Sequence, residues 1–100
     1  LIHLAAQSLV ITGYKKPLMT YETNFTGTLN ILENIKKVKS LKKALIVTTD
    51  KVYDFSKSKK FNENDNLFGK DPYSASKVCV EQLVYSYKSS YFNNKKLPFK

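Results

Sequence analysis

Several residue types are scarce in this sequence of 100 residues, and each shortage excludes a class of protein. Cys79 is the single cysteine, so no internal disulfide can form, which is typical of proteins from a reducing cytoplasm. His3 is the single histidine, so the sequence offers no His and Cys cluster for a metal. No apolar run approaches the roughly 20 residues that cross a bilayer, and no secretory signal is visible. We therefore predict a cytoplasmic protein with no metal and no membrane partner.

Arginine is absent, although the net charge is +9 and all 17 basic residues are lysines. Arginine is the side chain that makes bidentate contacts with phosphate and guanine in nucleic-acid complexes. The lysines are scattered, and those at 36–43 lie near the end of a predicted helix, where cations complement the helix dipole. The composition indicates a lysine-rich bias, and we predict no nucleic-acid partner.

The hydrophobic pattern predicts strand, helix, strand and helix in that order, at about residues 1–4, 17–38, 44–47 and 72–91. Residues 8–16 are predicted to form a loop or a short helical turn. Pro17 suits the first turn of a helix, and Asp71-Pro72 supplies a capping residue followed by proline. The alternation predicts an α/β fold with a doubly wound parallel sheet. The polar segment 54–70 is long for a connection, and such loops usually carry function.

The apolar residues indicate which faces of these elements are buried. The apolar run at 44–47 predicts a strand buried on both faces. Gly27 costs about 1 kcal/mol relative to alanine inside a helix, so we expect a close contact to require it. The buried stripe of the first helix is predicted as Leu18, Phe25, Leu29, Leu32 and Ile35. That of the second is predicted as Val80, Leu83, Val84 and Tyr87.

Tyr73 and Lys77 are the most informative pair in the sequence. They are four residues apart, and on an α-helix such positions lie on the same face. An ammonium about 4 Å from a phenol favours the deprotonated phenol by roughly 4 kcal/mol at an effective dielectric near 20. A tyrosine in that setting can act as a general base near neutral pH. The spacing is common by chance, so its meaning depends on the residues around it.

Thr49, Asp50 and Lys51 directly follow the predicted strand at 44–47. Ligands of open α/β sheets bind at the carboxyl ends of the strands. A hydroxyl, a carboxyl and an amine are therefore expected to reach that crevice together. A polar transition from strand to loop would have the same composition, but the Tyr73–Lys77 pair downstream favours a catalytic site.

Four segments resemble the extended short-chain dehydrogenase/reductase family: His3–Gln7, Thr23–Thr28, Thr48–Tyr53 and Asp71–Lys77. Within that family the chain is similar to the sugar-nucleotide 4,6-dehydratases, and most similar to the branch that acts on CDP-glucose. That branch carries Asp-Lys after the catalytic threonine, as at Asp50-Lys51, whereas commoner dehydratases carry Asp-Glu. The resemblance implies a Rossmann-like domain, NAD as cofactor and a nucleotide sugar as substrate.

The resemblance also implies a role for each catalytic residue. Tyr73 would take the proton of the sugar C4 hydroxyl, with Thr49 hydrogen-bonded to the same oxygen. Lys77 would stabilise the phenolate and hold the nicotinamide ribose. Asp50 would protonate the departing C6 hydroxyl, so it must hold a proton, which burial favours. Lys51 stands where relatives carry the glutamate that removes the C5 proton, and it would have to be neutral to do so.

Further residues are implied to contact the cofactor or to support the site. The expected cofactor contacts are Leu4, Ala5, Ala6, Thr48, Tyr73 and Lys77. Small side chains such as Ala5 and Ala6 allow the backbone to approach the cofactor closely. Asn24 is expected to support the active-site strands, and His3 is expected to pack against its neighbours rather than act as a base. We expect Tyr53, Tyr85, Tyr87 and Tyr91 to be packing or surface residues.

Enzymes of the resembled family are several times longer and begin with a Gly-rich turn that binds the cofactor pyrophosphate. Gly13, Gly27 and Gly69 do not form that pattern. We therefore expect residues 1–100 to be the central part of one NAD-binding domain, without the Gly-rich motif and the C-terminal substrate-binding part, and inactive by itself. The full-length protein is expected to be a homodimer or higher homo-oligomer. Two alternatives stay open: another family member, such as an epimerase or reductase, or a non-catalytic remnant.

Overall fold

The computed structural model describes residues 1–57 and 60–92. Its regular elements are β1 (Ile2–His3), α1 (Val10–Lys15), α2 (Pro17–Tyr21), α3 (Gly27–Ile35), β2 (Leu45–Ile46) and α4 (Pro72–Tyr87). π-Helical turns at Glu22–Thr26 and Lys88–Phe92 join α2 to α3 and extend α4, and a 3-10 turn at Asp50–Val52 follows β2. The predicted order of strands and helices is confirmed. None of the helices in the described ranges is long and apolar enough to span a bilayer.

β1 and β2 form a parallel pair, which confirms the predicted α/β class. Ile2 lies opposite Leu45 and His3 opposite Ile46. The ladder continues to Val47, whose N–H donates to the His3 carbonyl at 3.1 Å. The carboxyl ends of the two strands therefore lie side by side, so the residues that follow them meet at one edge.

The prediction that the strand at 44–47 is buried on both faces is wrong for the described residues. Ala44 is buried, whereas Leu45 and Val47 are 42% and 38% exposed. Successive side chains of a strand point to opposite faces, and the Ala44 face packs against α3 and Phe92. An apolar run predicts burial of both faces of a strand equally. Only the elements that pack against the strand decide which face is buried.

The first predicted helix begins at Pro17 as expected but is not a continuous α-helix. The π-helical turn at Glu22–Thr26 interrupts it, and α3 ends at Ile35 rather than near Val38. Leu18 is 71% exposed, so its place in the buried stripe is wrong. A π-turn holds an extra residue, which rotates α2 away from the face of α3 and turns Leu18 outward.

The core lies between α3, α4 and the start of β2. Its buried residues are Leu32, Ile35, Ala44 and Phe92, with Ile31, Leu41, Leu83, Val84 and Tyr87 partly buried around them. The predicted stripe of α4 is confirmed, since Val80 is buried and the other three pack against this core. The hydroxyl of Tyr87 donates to Glu33 and so links α4 to α3.

Asp71 caps α4, as predicted. Its carboxylate accepts from the Ser74 N–H at 3.0 Å and from the Ser74 hydroxyl at 2.5 Å. Burial raises the pKa of Asp71, but the hydrogen bonds from Ser74 outweigh it, and the pKa lies below its usual value. Pro72 occupies the first helical position, so local chemistry determines where α4 begins.

Gly69, rather than Gly27, is the glycine that close packing requires. A Cβ at Gly27 would meet only the Glu22 carbonyl oxygen at 3.9 Å, so the expected close contact there is wrong. A Cβ at Gly69 would lie 2.5 Å from the Ala75 nitrogen and 2.5 Å from the Ser74 carbonyl carbon. The approach of loop 60–70 to α4 therefore depends on Gly69.

Replacing Gly69 with alanine should destabilise the protein by about 1–3 kcal/mol, because backbone atoms of α4 would have to move. Gly27→Ala is the matched control and should be neutral or stabilising by about 1 kcal/mol, because alanine is the better helix former. Urea unfolding of both variants measures the difference. Equal stabilities would contradict the assigned role of Gly69.

Candidate active site

α4 carries Tyr73 and Lys77 to the end of β2. Both side chains are buried, with 7% and 6% of their surfaces exposed. The Lys77 ammonium donates to the Val47 carbonyl oxygen at 3.2 Å. The structure therefore brings the Tyr73–Lys77 helix and the strand that leads to Thr49 together, as the sequence predicts.

Glu81 is a site residue that the sequence analysis missed. It lies one turn after Lys77 on α4, and its carboxylate accepts a hydrogen bond from the Thr48 hydroxyl. Burial lowers the pKa of Lys77, whereas the negative charge of Glu81 raises it, and burial dominates. The four-residue spacing that drew attention to Tyr73 and Lys77 would have indicated Glu81 as well.

Thr49 begins the 3-10 turn that carries Asp50 and Lys51. Its Oγ1 accepts from the Lys51 N–H at 3.3 Å and donates to Asp50 Oδ1 at 3.3 Å. Thr49 is half-buried, whereas Asp50 and Lys51 are exposed. The burial expected for Asp50 is therefore not found, because Val52 is the residue of this turn that packs inward.

Asn24 links three segments behind the site. Its side-chain oxygen accepts from the Gln7 N–H at 2.8 Å, and its amide nitrogen donates to the Gln7 carbonyl at 3.0 Å and to Ser76 Oγ at 2.9 Å. Ser76 Oγ in turn donates to the Tyr73 carbonyl at 2.6 Å. Asn24 is 1% exposed and lies in the π-helical turn, which agrees with its expected supporting role.

Gly13 allows α1 to pack directly against the first residues of α4. A Cβ at this position would lie 3.0 Å from the Tyr73 nitrogen and 3.2 Å from the Tyr73 Cβ. The backbone of Tyr73 is thus held by α1 on one side and by the Ser76 hydroxyl on the other. No local pattern predicts this contact, since α1 and α4 are far apart in the chain.

His3 makes a structural contact from β1. Its Nε2 lies 3.1 Å from Thr28 Oγ1, and the Thr28 hydroxyl donates to the Asn24 carbonyl at 2.6 Å. Because that hydroxyl proton is used, Nε2 carries the hydrogen and donates to Thr28. Burial lowers the pKa of His3, and the charge of Lys77 lowers it further. A neutral, bonded imidazole agrees with the expected packing role.

The residues predicted to contact the cofactor after β1 lie at the edge that the two strand ends share. Leu4 and Ala5 are exposed and Ala6 is half-buried. Ligands of open α/β sheets bind at such strand ends, so the predicted cofactor contacts stay a prediction. In the described part of the chain, no group of three His, Cys, Asp or Glu side chains could hold a metal ion.

Three tyrosines outside the predicted catalytic set have raised pKa values, which disfavours their action as general bases. The hydrogen bond to Glu33 raises the pKa of Tyr87 to about 12. Burial and nearby acids raise the pKa of Tyr53, and burial raises that of Tyr21. Tyr85 is 66% exposed. Tyr73 is the buried tyrosine of the described residues that shares a helix face with Lys77.

Residues 1–94 match the family model described as GDP-mannose 4,6 dehydratase. The chain belongs to this family. It is 41% identical over 92 residues to CDP-glucose 4,6-dehydratase of Salmonella typhimurium, covering 91% of this chain and 26% of that protein. The match confirms the expected resemblance to extended short-chain dehydrogenases/reductases. The chain spans about a quarter of the length of the curated relatives that it matches most strongly.

Solved structures give the same fold. A dTDP-glucose 4,6-dehydratase of Streptomyces venezuelae, solved with NAD bound, superposes with a TM-score of 0.84 at 28% identity, covering 90% of this chain and 28% of that one. A UDP-N-acetylglucosamine 4-epimerase of Methanobrevibacter ruminantium gives 0.84 at 26% identity, covering 98% and 30%. The Rossmann-like fold is thereby confirmed, and dehydratases and epimerases share it.

Replacing Asn24 with alanine should cost roughly 2–4 kcal/mol, because the N–H and carbonyl of Gln7 lose their buried partner. Asn30→Ala is the matched control: Asn30 is exposed on the same helical segment, and alanine there should be neutral or slightly stabilising. Chemical unfolding measures both, and amide hydrogen exchange at Gln7 should accelerate only in the Asn24 variant. Unchanged exchange would contradict the assigned bridge.

Proposed function

We propose that the protein containing this chain is an NAD-dependent nucleotide-sugar dehydratase that converts CDP-glucose to CDP-4-dehydro-6-deoxyglucose. One observation carries the proposal: the buried Tyr73 and Lys77 of α4 lie at the strand end that leads to Thr49, Asp50 and Lys51. The Asp-Lys pair and the 41% identity to a CDP-glucose 4,6-dehydratase support the choice of substrate.

Tyr73 is proposed as the base that removes the proton of the sugar C4 hydroxyl. Lys77 supports this role because a cation on the same helix face stabilises the phenolate. Thr49 adds a hydrogen bond to the same sugar oxygen. When bound, NAD supplies reversible acceptance of hydride from C4 and its return to C6. Lys77 and Tyr73, with Leu4, Ala5, Ala6 and Thr48, are proposed to hold it.

Asp50 and Lys51 are proposed to carry out the elimination of water. A ketone at C4 acidifies the C5 proton, and Lys51, which stands where relatives carry the basic glutamate, is proposed to take it up. Asp50 is proposed to protonate the C6 hydroxyl as the C–O bond breaks, so water leaves and a C5–C6 double bond forms. Both side chains are exposed in the described structure, and a sugar bound against the 3-10 turn would supply the burial that favours a protonated Asp50.

An epimerase is the second candidate, because curated relatives and solved structures of that class also match. It would use Tyr73, Lys77 and Thr49 for the same oxidation at C4, but would return the hydride to C4. Asp50 and Lys51 would then take no part in the reaction. The products of the two reactions differ by one water, which separates them directly.

Three further expectations are proposed for the whole protein: residues 1–100 form the central part of one NAD-binding domain, the protein is cytoplasmic, and it is a homodimer or higher homo-oligomer. The exposed side chains of Leu18, Met19 and Tyr85 on α2 and α4 leave apolar area for contact with a second copy.

The full-length protein, incubated with NAD and CDP-glucose, dTDP-glucose or GDP-mannose in parallel, should release water only from CDP-glucose. Mass spectrometry of the product detects the loss, and absorbance in alkali detects the 4-keto sugar. Loss of water from another substrate alone would reassign the specificity. A product of unchanged mass with an inverted C4 would identify an epimerase.

Tyr73→Phe should lower kcat at least about 100-fold, because the base that takes the C4 proton is removed. Tyr85→Phe is the matched control, since Tyr85 is exposed on the same helix, and it should keep full activity. Steady-state kinetics with the active substrate measures both. A Tyr73→Phe enzyme with undiminished kcat would remove Tyr73 from the mechanism.

A further inference from the structure

We propose that Glu81 is a positioning residue of this site: it holds the end of β2 against α4 and supplies the counter-charge for the Lys77 ammonium. The inference rests on the proposed function, because it concerns the same site. Glu81 touches neither the sugar nor the reacting atoms in the roles assigned above, so it acts through Thr48 and Lys77.

Glu81 and Lys77 bind two successive residues at the end of β2. The Lys77 ammonium donates to the Val47 carbonyl at 3.2 Å, and the Thr48 hydroxyl donates to the Glu81 carboxylate. Both contacts come from side chains one turn apart on α4. Thr49 follows immediately in the chain, so the two contacts fix its position relative to the catalytic helix.

The charges around Lys77 single out Glu81. In the described part of the chain, the charge of Glu81 acts on Lys77, and the charge of Lys77 acts on His3 of β1. Tyr73 lies one turn before Lys77 on the same helix. His3 offers no negative charge, since burial and Lys77 both lower its pKa. Burial lowers the pKa of Lys77, and the carboxylate of Glu81 opposes that effect. A buried cation needs such a partner to stay charged.

Removing the charge and removing the hydrogen bond have different consequences. Without the Glu81 charge, the pKa of Lys77 falls further, so the ammonium loses its proton at a lower pH. The protonated ammonium is the form that stabilises the Tyr73 phenolate, so the alkaline limb of the kcat profile moves to lower pH. Without the Thr48 hydroxyl, the strand end loses its contact with α4, so kcat falls. The charge of Glu81 remains, so the alkaline limb of the kcat profile stays at the same pH.

The experiment compares Glu81→Gln, Thr48→Val and the control Glu22→Gln in the full-length enzyme with NAD and CDP-glucose. Glutamine keeps an acceptor for Thr48 but loses the charge, and Glu22 is an exposed acid away from the site. Glu81→Gln should shift the alkaline limb down by about one pH unit. Thr48→Val should lower kcat about 10-fold without a shift, and Glu22→Gln should match the wild type.

A second readout does not depend on activity. In protein labelled with ¹³C at lysine Cε, the Lys77 signal is assigned by its loss in Lys77→Arg. Its titration midpoint should fall in Glu81→Gln and stay unchanged in Glu22→Gln. Should Glu81→Gln fail to fold, Glu81→Asp keeps the charge at shorter reach and should lower kcat without moving the limb.

Unchanged Lys77 titration and an unchanged alkaline limb in Glu81→Gln, with only a lower unfolding temperature, would overturn the proposal and leave Glu81 a structural residue. An unchanged kcat in Glu81→Asp would overturn it equally, because the shorter side chain must disturb the contact with Thr48. A wild-type protein without dehydratase activity would instead refute the proposed function, while the Lys77 titration would still test Glu81.

Discussion

Burial of the Lys77 ammonium at the carboxyl end of β2 is the constraint around which the site is arranged. A buried charge costs several kcal/mol unless it is hydrogen-bonded or paired. The Val47 carbonyl supplies a hydrogen bond from the strand, and the negative charge of Glu81 on the helix opposes the lowering of the Lys77 pKa by burial. Because the ammonium must reach that carbonyl, α4 has to begin close to the strand end. The Asp71 cap sets that beginning, and Gly69 and Gly13 allow the close packing that it demands.

Local chemistry made the order of the elements and the starts of the helices predictable. Pro17 and the Asp71-Pro72 pair act through neighbouring backbone groups, so their effects can be read without the rest of the fold. The exposure of Leu18 was not predictable, because it depends on a π-helical turn that an apolar periodicity does not reveal. The close contact was predicted at Gly27 but lies at Gly69 for a related reason: only the approach of another segment decides which glycine is crowded.

The candidate site was predicted in part, and Glu81 is a residue near it that was not predicted. Tyr73, Lys77 and Thr49 were found because helical spacing and a strand end indicate them directly. Helical spacing from Lys77 would have indicated the face on which Glu81 lies, but its contact with Thr48, 33 residues away along the chain, could not be predicted from local sequence. Hydrophobic periodicity does not indicate the residues near the site, since α4 buries polar side chains there, such as Ser76. Such a face is stable because no buried side-chain polar atom of the described residues lacks a partner.

The two proposed half-reactions have different structural support within this chain. Oxidation at C4 relies on Tyr73 and Lys77, which are buried and held by several elements. Elimination of water relies on Asp50 and Lys51, which lie exposed on one short turn. A buried, hydrogen-bonded side chain tolerates few substitutions, whereas exposed positions on a turn can change without disturbing the fold. In the proposed scheme, the buried pair serves both candidate functions, dehydratase and epimerase. The exposed pair is needed only by the proposed dehydratase.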